Sequence, residues 1–341
     1  MKILNVMFYK TLGGLEQVFT DYSLALKKKG HDVVNVVHSN AAIISKLDGS
    51  YHKMLSFGKR DFVAILRLKF LVYSYQPDCI IVHGNRAASL VHSAGVKIPV
   101  IAVSHYYKFK DIIGFDSIFA ITEDMKESLI AAGQEPDKVI HMPNMIKIPQ
   151  GNSFIEPKFN RIPVIGGIGR LVKCKGFDTF IHAMRLLKNR GVACKAIIAG
   201  EGEERAALEG LIEKLDLQDN VEMIGWIDDQ EHFYNSIDIF CLSSRDEAFG
   251  LVLLEAFMYS KPVVSTESKG PLEIATNKQD VLFTPIDDSK QMADKLAALL
   301  ADQKMAIKLA QAGYKTVQKY SLENIAEKLD DSLKRIVSVT A

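Results

Sequence analysis

The sequence of 341 residues has few of the features that mark several common protein classes. Its four cysteines are scattered, with no C-x-x-C and no histidine at ligand spacing, which indicates neither disulfides nor zinc and favours a reducing compartment. No window reaches about 18 uncharged apolar residues, and the start, MKILNVMFY, has no small-residue cleavage site. We therefore expect a cytoplasmic protein with neither a standard secretion signal nor a transmembrane helix.

A concentrated excess of one charge is also missing. The net charge is +1, and residues 1–155 carry 18 Lys and Arg against 13 Asp and Glu, whereas the rest carries 24 against 28. A nucleic-acid binder needs a stronger basic face, so nucleic acid is not an expected partner. With 48% hydrophobic and 24% charged residues, the composition is that of an ordinary globular protein and argues against disorder.

What the chain does have is an alternation of short β-branched apolar runs with helix-period segments, and this alternation occurs twice. It predicts an α/β protein with two doubly wound, Rossmann-like parallel-sheet domains, at 1–150 and 161–320. Three prolines and weak periodicity in 143–160 indicate a linker. The amphipathic segment 321–341 predicts a terminal helix. Ligands of such sheets bind at the carboxyl ends of the strands, so a cleft between the domains is the expected active site.

Glycines follow the first strand and precede a helix that has Glu16 in its first turn. Gly13 and Gly14 can let backbone approach a ligand, and the helix start can bind an anion, although a plain tight turn explains them equally. This is not the G-x-G-x-x-G of dinucleotide enzymes, so an NAD enzyme is disfavoured.

A second glycine-rich strand end, IGGIGRLVKCKG, begins the second domain's pattern. Arg170 and Lys175 lie beside Gly169 and just before a predicted helix at Phe177–Asn189. Two cations near a helix start suit a diphosphate when no metal neutralises it, and the alternative is a solvated loop. Gly200, in the next strand-to-helix turn, also allows both interpretations.

The stretch RDEAFGLVLLE places Glu247 in a loop and Glu255 about one turn inside the following helix. At about 1.5 Å of rise per residue the two carboxylates are some 10 Å apart, so they are not expected to act as an acid/base pair. The N–H groups at Phe249, Gly250 and Leu251 could bind a phosphate, while Glu247 alternatively serves as a favourable helix N-terminal charge.

Together these motifs resemble those of retaining nucleotide-sugar glycosyltransferases of family 4, which have the GT-B fold and include bacterial cell-envelope enzymes. The resemblance rests on LGGLEQV, GRLVKCKG, AGEGEE, IGW, SRDEAFGLVLLEA, SKPVV and GPLEI, in this order and spacing. One departure is Pro271, which stands where the family commonly has glycine and supplies no N–H.

The resemblance implies a nucleotide-diphosphate sugar as donor, a glycan or lipid-linked acceptor, and a terminal helix that packs back on the first domain. The residues that it assigns to catalysis are Glu247, His105, Arg170 and Lys175. Those that it and the loop patterns assign to the donor are Gly13, Gly14, Gly169, Gly200, Phe249, Gly250, Leu251 and Glu255. Those assigned to the acceptor are Glu16, Asn85 and Tyr106. For His105, a structural role in the first domain stays open.

The resemblance implies that the diphosphate binds Arg170 and Lys175. It implies that the ribose binds Glu255 and that the donor sugar binds Glu247. The resemblance implies retention of anomeric configuration and a UDP-sugar as the expected donor. No D-x-D occurs in the sequence, so neither a metal nor another cofactor is expected.

The basic first half and the segment RDFVAILRLKFLVYSY suggest at most weak peripheral contact with an anionic membrane at the inner face of the cytoplasmic membrane. A core helix with exposed basic residues explains the same segment. For the whole chain the alternatives are another nucleotide-sugar enzyme of this fold, such as an epimerase, and a non-catalytic sugar-binding protein.

Overall fold

The computed structural model of the chain describes residues 1–11, 13–47 and 49–340. Leu12, the first residue of the motif LGGLEQV, and Ala341, the last residue of the predicted terminal helix, lie outside the described residues. The chain divides into two compact units, with the boundaries after Lys147 and after Lys319. The first boundary falls inside the segment 143–160 predicted as a linker. The segment from Tyr320 onward belongs to the first unit.

The first unit contains one parallel sheet of seven strands in the order β3-β2-β1-β4-β5-β6-β7. The strands are β1 (Lys2–Met7), β2 (Asp32–His38), β3 (Tyr51–Met54), β4 (Cys79–His83), β5 (Val100–Ser104), β6 (Ser117–Ala120) and β7 (Val139–His141). The helices between them are α1 (Gly14–Lys28), α2 (Phe62–Tyr75), α3 (Asn85–Ala94) and α4 (Glu123–Ala131). β1 and β4 are neighbours, so the strand order changes direction there, which is where such sheets bind ligands.

The second unit repeats this design with a six-stranded parallel sheet in the order β10-β9-β8-β11-β12-β13. Its strands are β8 (Val164–Ile168), β9 (Lys195–Ala199), β10 (Val221–Gly225), β11 (Ile239–Leu242), β12 (Val263–Thr266) and β13 (Leu282–Thr284). Its helices are α5 (Phe177–Asn189), α6 (Arg205–Lys214), α7 (Gln230–Ser236), α8 (Leu251–Met258), α9 (Lys269–Ile274), α10 (Ser289–Ala301) and α11 (Gln303–Gln318). The predicted fold class, two doubly wound parallel-sheet domains, is confirmed.

The terminal helix α12 (Leu322–Thr340) packs along α1 of the first unit. His31 Nε2 lies 2.9 Å from a carboxylate oxygen of Asp330 in a buried contact, and Lys28 pairs with Glu323 at 2.7 Å. Leucine and isoleucine side chains at helical spacing are buried beneath it, which stabilises the helix by removing apolar surface from water. Across the described residues, no helix is both long enough and apolar enough to cross a membrane.

The sequence pattern did not predict two of the strands, β3 and β13. Each is only three or four residues long, and three of the four residues of β3 are exposed, so neither shows an extended apolar run. β3 is held by its pairing with β2, in which Asn35 lies opposite Tyr51. Short edge strands therefore depend on tertiary pairing rather than on a local pattern.

A glycine brings the loops after β8 and β9 into backbone contact. Gly200 has a φ of +139°, and a Cβ there would lie 1.9 Å from the carbonyl oxygen of Gly169. The Gly169 N–H donates to the carbonyl of Ala199 at 3.0 Å, so the two loops share a hydrogen bond as well. A larger residue at 200 would push the loop that carries Arg170 away from its neighbour.

We predict that Gly200→Ala lowers the stability of the second unit by about 2–4 kcal/mol, since it combines an unfavourable φ with a backbone clash. Gly210→Ala is the matched control, because Gly210 lies in α6 with nothing within 4 Å of its Cβ position. That change should raise stability by up to about 1 kcal/mol. Calorimetric unfolding of the three proteins measures both effects, and equal transitions for wild type and Gly200→Ala would contradict the packing argument.

Candidate active site

The candidate site of the second unit lies at the carboxyl ends of β8 and β11. These strands are direct neighbours although they are not consecutive, so the sheet changes direction between them. The loop after β8 carries Arg170 and Lys175, and the loop after β11 carries Glu247 and leads into α8. Topology alone therefore brings the predicted cations and the predicted glutamate to one end of the sheet.

Hydrogen bonds lock these two loops together. Backbone N–H groups of Arg245 and Asp246 donate to the carbonyl of Cys174 at 2.7 and 3.2 Å. The hydroxyl of Ser243 donates to the carbonyl of Lys175 at 2.9 Å. Their spacing is consequently fixed by the backbone before any ligand binds.

Lys175 and Glu247 form an ion pair in this structure. Lys175 Nζ lies 2.5 Å from Glu247 Oε2, and the side chains are only 20% and 15% exposed. The hydroxyl of Ser244 donates to the same carboxylate oxygen at 3.3 Å. The sequence predicted separate roles for these residues, and the structure pairs them with each other.

Arg170 has an exposed side chain that forms no ion pair within the described part of the chain. Its loop is held by the hydrogen bond from the Leu171 N–H to the carbonyl of Glu201 at 2.9 Å. A guanidinium on a held loop is available to an anion without breaking an existing pair.

Helix α8 begins at Leu251, directly after Gly250, whose φ of +102° suits glycine. The first N–H groups of any helix lack partners within the helix and favour an anion. The Gly270 N–H donates to the carbonyl of Glu247 at 2.9 Å, and a Cβ on Gly270 would lie 2.2 Å from the carbonyl oxygen of Phe249. The GPLEI segment thus supports the loop before α8, even though Pro271 has no N–H to donate.

Glu255 lies on a different part of α8 and contacts neither Lys175 nor Glu247. Its Oε2 accepts a hydrogen bond from the Tyr234 hydroxyl at 2.9 Å. Burial raises the pKa of Glu255 to about 7, although the Tyr234 hydrogen bond lowers it. The two glutamates are separate groups with separate partners, as the sequence predicted.

In the first unit, the predicted residues lie at the carboxyl ends of β1, β4 and β5. Gly13 precedes α1 and Gly14 begins it, with a Gly13 Cβ position 3.3 Å from the carboxylate of Glu16. Glu16 is buried, whereas Asn85, the first residue of α3, is partly exposed and Tyr106 is exposed.

His105 follows β5 and is only 7% exposed. Its Nε2 lies 3.1 Å from Nδ1 of His83 at the end of β4, and the rings stack with centroids 5.3 Å apart. Burial lowers the pKa of His105 to about 3 and that of His83 well below its usual value, with the other histidine adding to the effect at His83. Both imidazoles are therefore neutral at physiological pH.

Two known sequence families together match most of the chain. Residues 12–148 match the family described as Glycosyltransferase Family 4, and residues 151–316 match the family described as Glycosyl transferases group 1. The chain belongs to the GT-B glycosyltransferases. Membership in this family favours a glycosyltransferase over the two alternatives, an epimerase and a non-catalytic sugar-binding protein.

Individual relatives cover nearly the whole glycosyltransferase. It is 27% identical over 339 residues to the lipopolysaccharide core biosynthesis glycosyltransferase LpsE of Rhizobium meliloti, covering 96% of this chain and 97% of LpsE. It is 25% identical over 344 residues to the capsular polysaccharide biosynthesis glycosyltransferase CapM of Staphylococcus aureus, covering 89% and 90% of the two chains.

Solved structures share the fold at lower identity. Anabaena HepE in complex with UDP and glucose has a TM-score of 0.85 and 18% identity, covering 98% of this chain and all of HepE. The lipopolysaccharide outer core galactosyltransferase WaaB in its apo form has a TM-score of 0.78 and 16% identity, covering 98% and 99%.

Two residues that hold the site of this glycosyltransferase were missed in the sequence. The Arg245 guanidinium binds both carboxylate oxygens of Asp178 at 2.6 and 2.9 Å and an oxygen of Asp287 at 2.6 Å. Burial opposes ionisation of Asp178, but the hydrogen bonds and charge of Arg245 hold its pKa below the usual value. Tyr234 is the other, and its 21-residue separation from Glu255 gives no local signal.

Among the described residues, no group of three or more His, Cys, Asp and Glu side chains is arranged to hold a metal ion.

We predict that Glu255→Gln stabilises the glycosyltransferase at high pH. The folded carboxyl has a pKa of about 7 against an ordinary 4.5, so the folded state binds more protons between these values. The free energy of unfolding that this group contributes is therefore lost as pH rises through about 7. Gln cannot ionise, and at pH 8 the variant should be more stable by up to about 3 kcal/mol.

At pH 4.5 the gain from Glu255→Gln should vanish. The exposed Glu213→Gln in α6 is the control and should change stability little at either pH. Thermal unfolding at both pH values measures this. A wild type and a Glu255→Gln variant with parallel pH profiles would show that this carboxyl does not titrate near 7.

Proposed function

We propose that this glycosyltransferase transfers a sugar from a nucleotide-diphosphate sugar, with UDP as the nucleotide, to a hydroxyl of a glycan or lipid-linked acceptor in bacterial envelope synthesis. The names of LpsE and CapM, which concern lipopolysaccharide core and capsular polysaccharide, support this class of acceptor. The complexes of HepE with UDP and with UDP-glucose support the donor.

One observation carries the proposal, namely the meeting of cations and a helix start at the direction change of the second sheet. Lys175 is held beside Glu247, Arg170 is exposed on the same loop after β8, and α8 begins after Gly250. A diphosphate is the ligand group that needs both cationic side chains and backbone N–H donors.

In the proposed reaction, the bond between the anomeric carbon and the diphosphate oxygen breaks, and the acceptor oxygen forms the new bond. The electron pair stays on the leaving diphosphate, where Arg170, Lys175 and the α8 N–H groups stabilise it. Donors aimed at developing charge contribute about 3 kcal/mol each in well-studied enzymes. With retention, the acceptor proton passes to the leaving phosphate oxygen on the same face of the sugar.

In this proposal the Lys175–Glu247 ion pair breaks when the donor binds. An arriving diphosphate competes with Glu247 for Lys175, since both are anions within reach of one ammonium group. As Lys175 turns to the phosphates, the Glu247 carboxylate becomes free to accept hydrogen bonds from the donor sugar. Glu255 accepts from the ribose hydroxyls in the same proposal.

His105 is proposed to hydrogen-bond a sugar or acceptor hydroxyl as a neutral imidazole. Its lowered pKa of about 3 argues against a cationic role near pH 7. The Nε2 of His105 already shares a hydrogen bond with Nδ1 of His83 at 3.1 Å, which leaves Nδ1 of His105 for a ligand.

We predict that Lys175→Ala lowers turnover at least about tenfold, because it removes a cation from the leaving group. Lys173→Ala is the matched control, since Lys173 is exposed two residues away in the same loop. Steady-state rates with radiolabelled donor, after a thermal-shift screen of nucleotide-sugars has identified it, provide the measurement. Equal losses in both variants, or none in Lys175→Ala, would refute the assigned role.

Retention and metal independence are tested on the same reaction. Proton NMR of the fresh product should show the anomeric configuration of the donor, and an inverted product would rule retention out. Turnover should survive a chelator, because Arg170 and Lys175 neutralise the diphosphate in this proposal. Loss of activity that magnesium or manganese restores would replace that account.

A further inference from the structure

Helix α2 of the first unit exposes a continuous apolar stripe. Only Ala64 and Leu68 of this helix are buried, so the alternative of a core helix for this segment is wrong. The exposed side chains recur every three or four residues, which places them on one helical face. They are Phe62, Leu66, Phe70 and Tyr73, with exposed fractions of 69%, 49%, 71% and 77%.

The stripe is extended at its start by Phe57, which is 88% exposed. Asp61 fixes this turn on the helix, because its carboxylate accepts from the N–H of Phe57 at 2.9 Å and from the N–H of Ala64 at 3.1 Å. The apolar surface is therefore held in place rather than carried on a loose loop.

Basic residues border the stripe on both sides. At 100° per residue, Lys69 lies about 20° to one side of Phe62, and Arg67 lies about 40° beyond Val63 on the other. Both basic side chains are exposed, and α2 contains no Asp or Glu. An apolar centre with cationic borders is the arrangement of helices that lie in a membrane interface.

The same charges disfavour a second copy of this chain as the occupant. Two α2 faces brought together would set Lys69 and Arg67 of one copy against basic side chains of the other, with no acidic side chain on the helix to pair with them. Lysine is also depleted at protein interfaces, whereas anionic headgroups complement both borders at once.

We propose that α2 and the turn at 57–61 form a membrane-docking surface that binds bilayers containing anionic lipids. The apolar side chains enter the boundary between headgroups and acyl chains, and Arg67 and Lys69 bind lipid phosphates. This surface deepens the proposed function, because it would bring the enzyme to lipid-linked acceptors. It can be tested without donor or acceptor.

The test is cosedimentation of the full chain with phosphatidylcholine vesicles, with and without phosphatidylglycerol, at low and high salt. We expect binding to the anionic vesicles that weakens as salt rises. Phe62→Ser with Leu66→Ser and Phe70→Ser should lower the partition at least about tenfold. Arg67→Glu with Lys69→Glu should lower it about fivefold or more per residue.

Two further measurements make each outcome decisive. Ile155→Ser with Val339→Ser is the control, because both side chains are exposed and apolar but lie outside the stripe, and it should bind like wild type. Thermal unfolding checks that every variant folds. Wild type that ignores anionic vesicles at low salt, or α2 variants that bind them normally, would overturn the proposal.

Sedimentation velocity distinguishes the other occupant. If wild type is a dimer that the triple Ser variant dissociates, and vesicles are not bound, then this face joins two copies and the membrane proposal is wrong. The proposed function can fail independently of this surface. In that case the protein would bind anionic vesicles, but no nucleotide-sugar would raise its unfolding temperature.

Discussion

The pairing of Lys175 with Glu247 is the interaction on which the proposed donor site depends. It joins the loop after β8 to the loop before α8, and the residues are 72 positions apart in the chain. The pair keeps a cation and an anion side by side in a partly buried place, where burying either charge alone would be unfavourable. In the proposed function a diphosphate replaces Glu247 as the anionic partner of Lys175, so binding would exchange one ion pair for another instead of desolvating an isolated charge.

Around that pair the charged groups divide into those that hold the structure and those that can meet a ligand. Arg245 is engaged by Asp178 and Asp287 and so positions the loop without being free for phosphate. Arg170 is exposed on a loop held by backbone contacts. Burial raises the pKa of Glu255 to about 7, so this carboxyl is about half ionised near pH 7. The first unit has its own neutral pair in His83 and His105, which can offer hydrogen bonds but not charge.

Local patterns were sufficient for much of the fold. The helix predicted at Phe177–Asn189 has those bounds in the structure. Parallel strands with both faces buried gave continuous apolar runs, whereas the short β3 and β13 did not. Motif order predicted the candidate site but not the pairings of its residues, because the partners of Glu247 and Glu255 come from distant segments that only the folded sheet brings together.

The most direct test of the donor site is a crystal structure of the glycosyltransferase with UDP bound. The proposed donor site predicts the diphosphate at the start of α8, within hydrogen-bond distance of backbone N–H groups near Gly250 and of Lys175 and Arg170. It also predicts that Lys175 Nζ has left its position 2.5 Å from Glu247 Oε2. A nucleotide bound elsewhere, or a diphosphate at this helix with the Lys175–Glu247 pair unchanged, would contradict it.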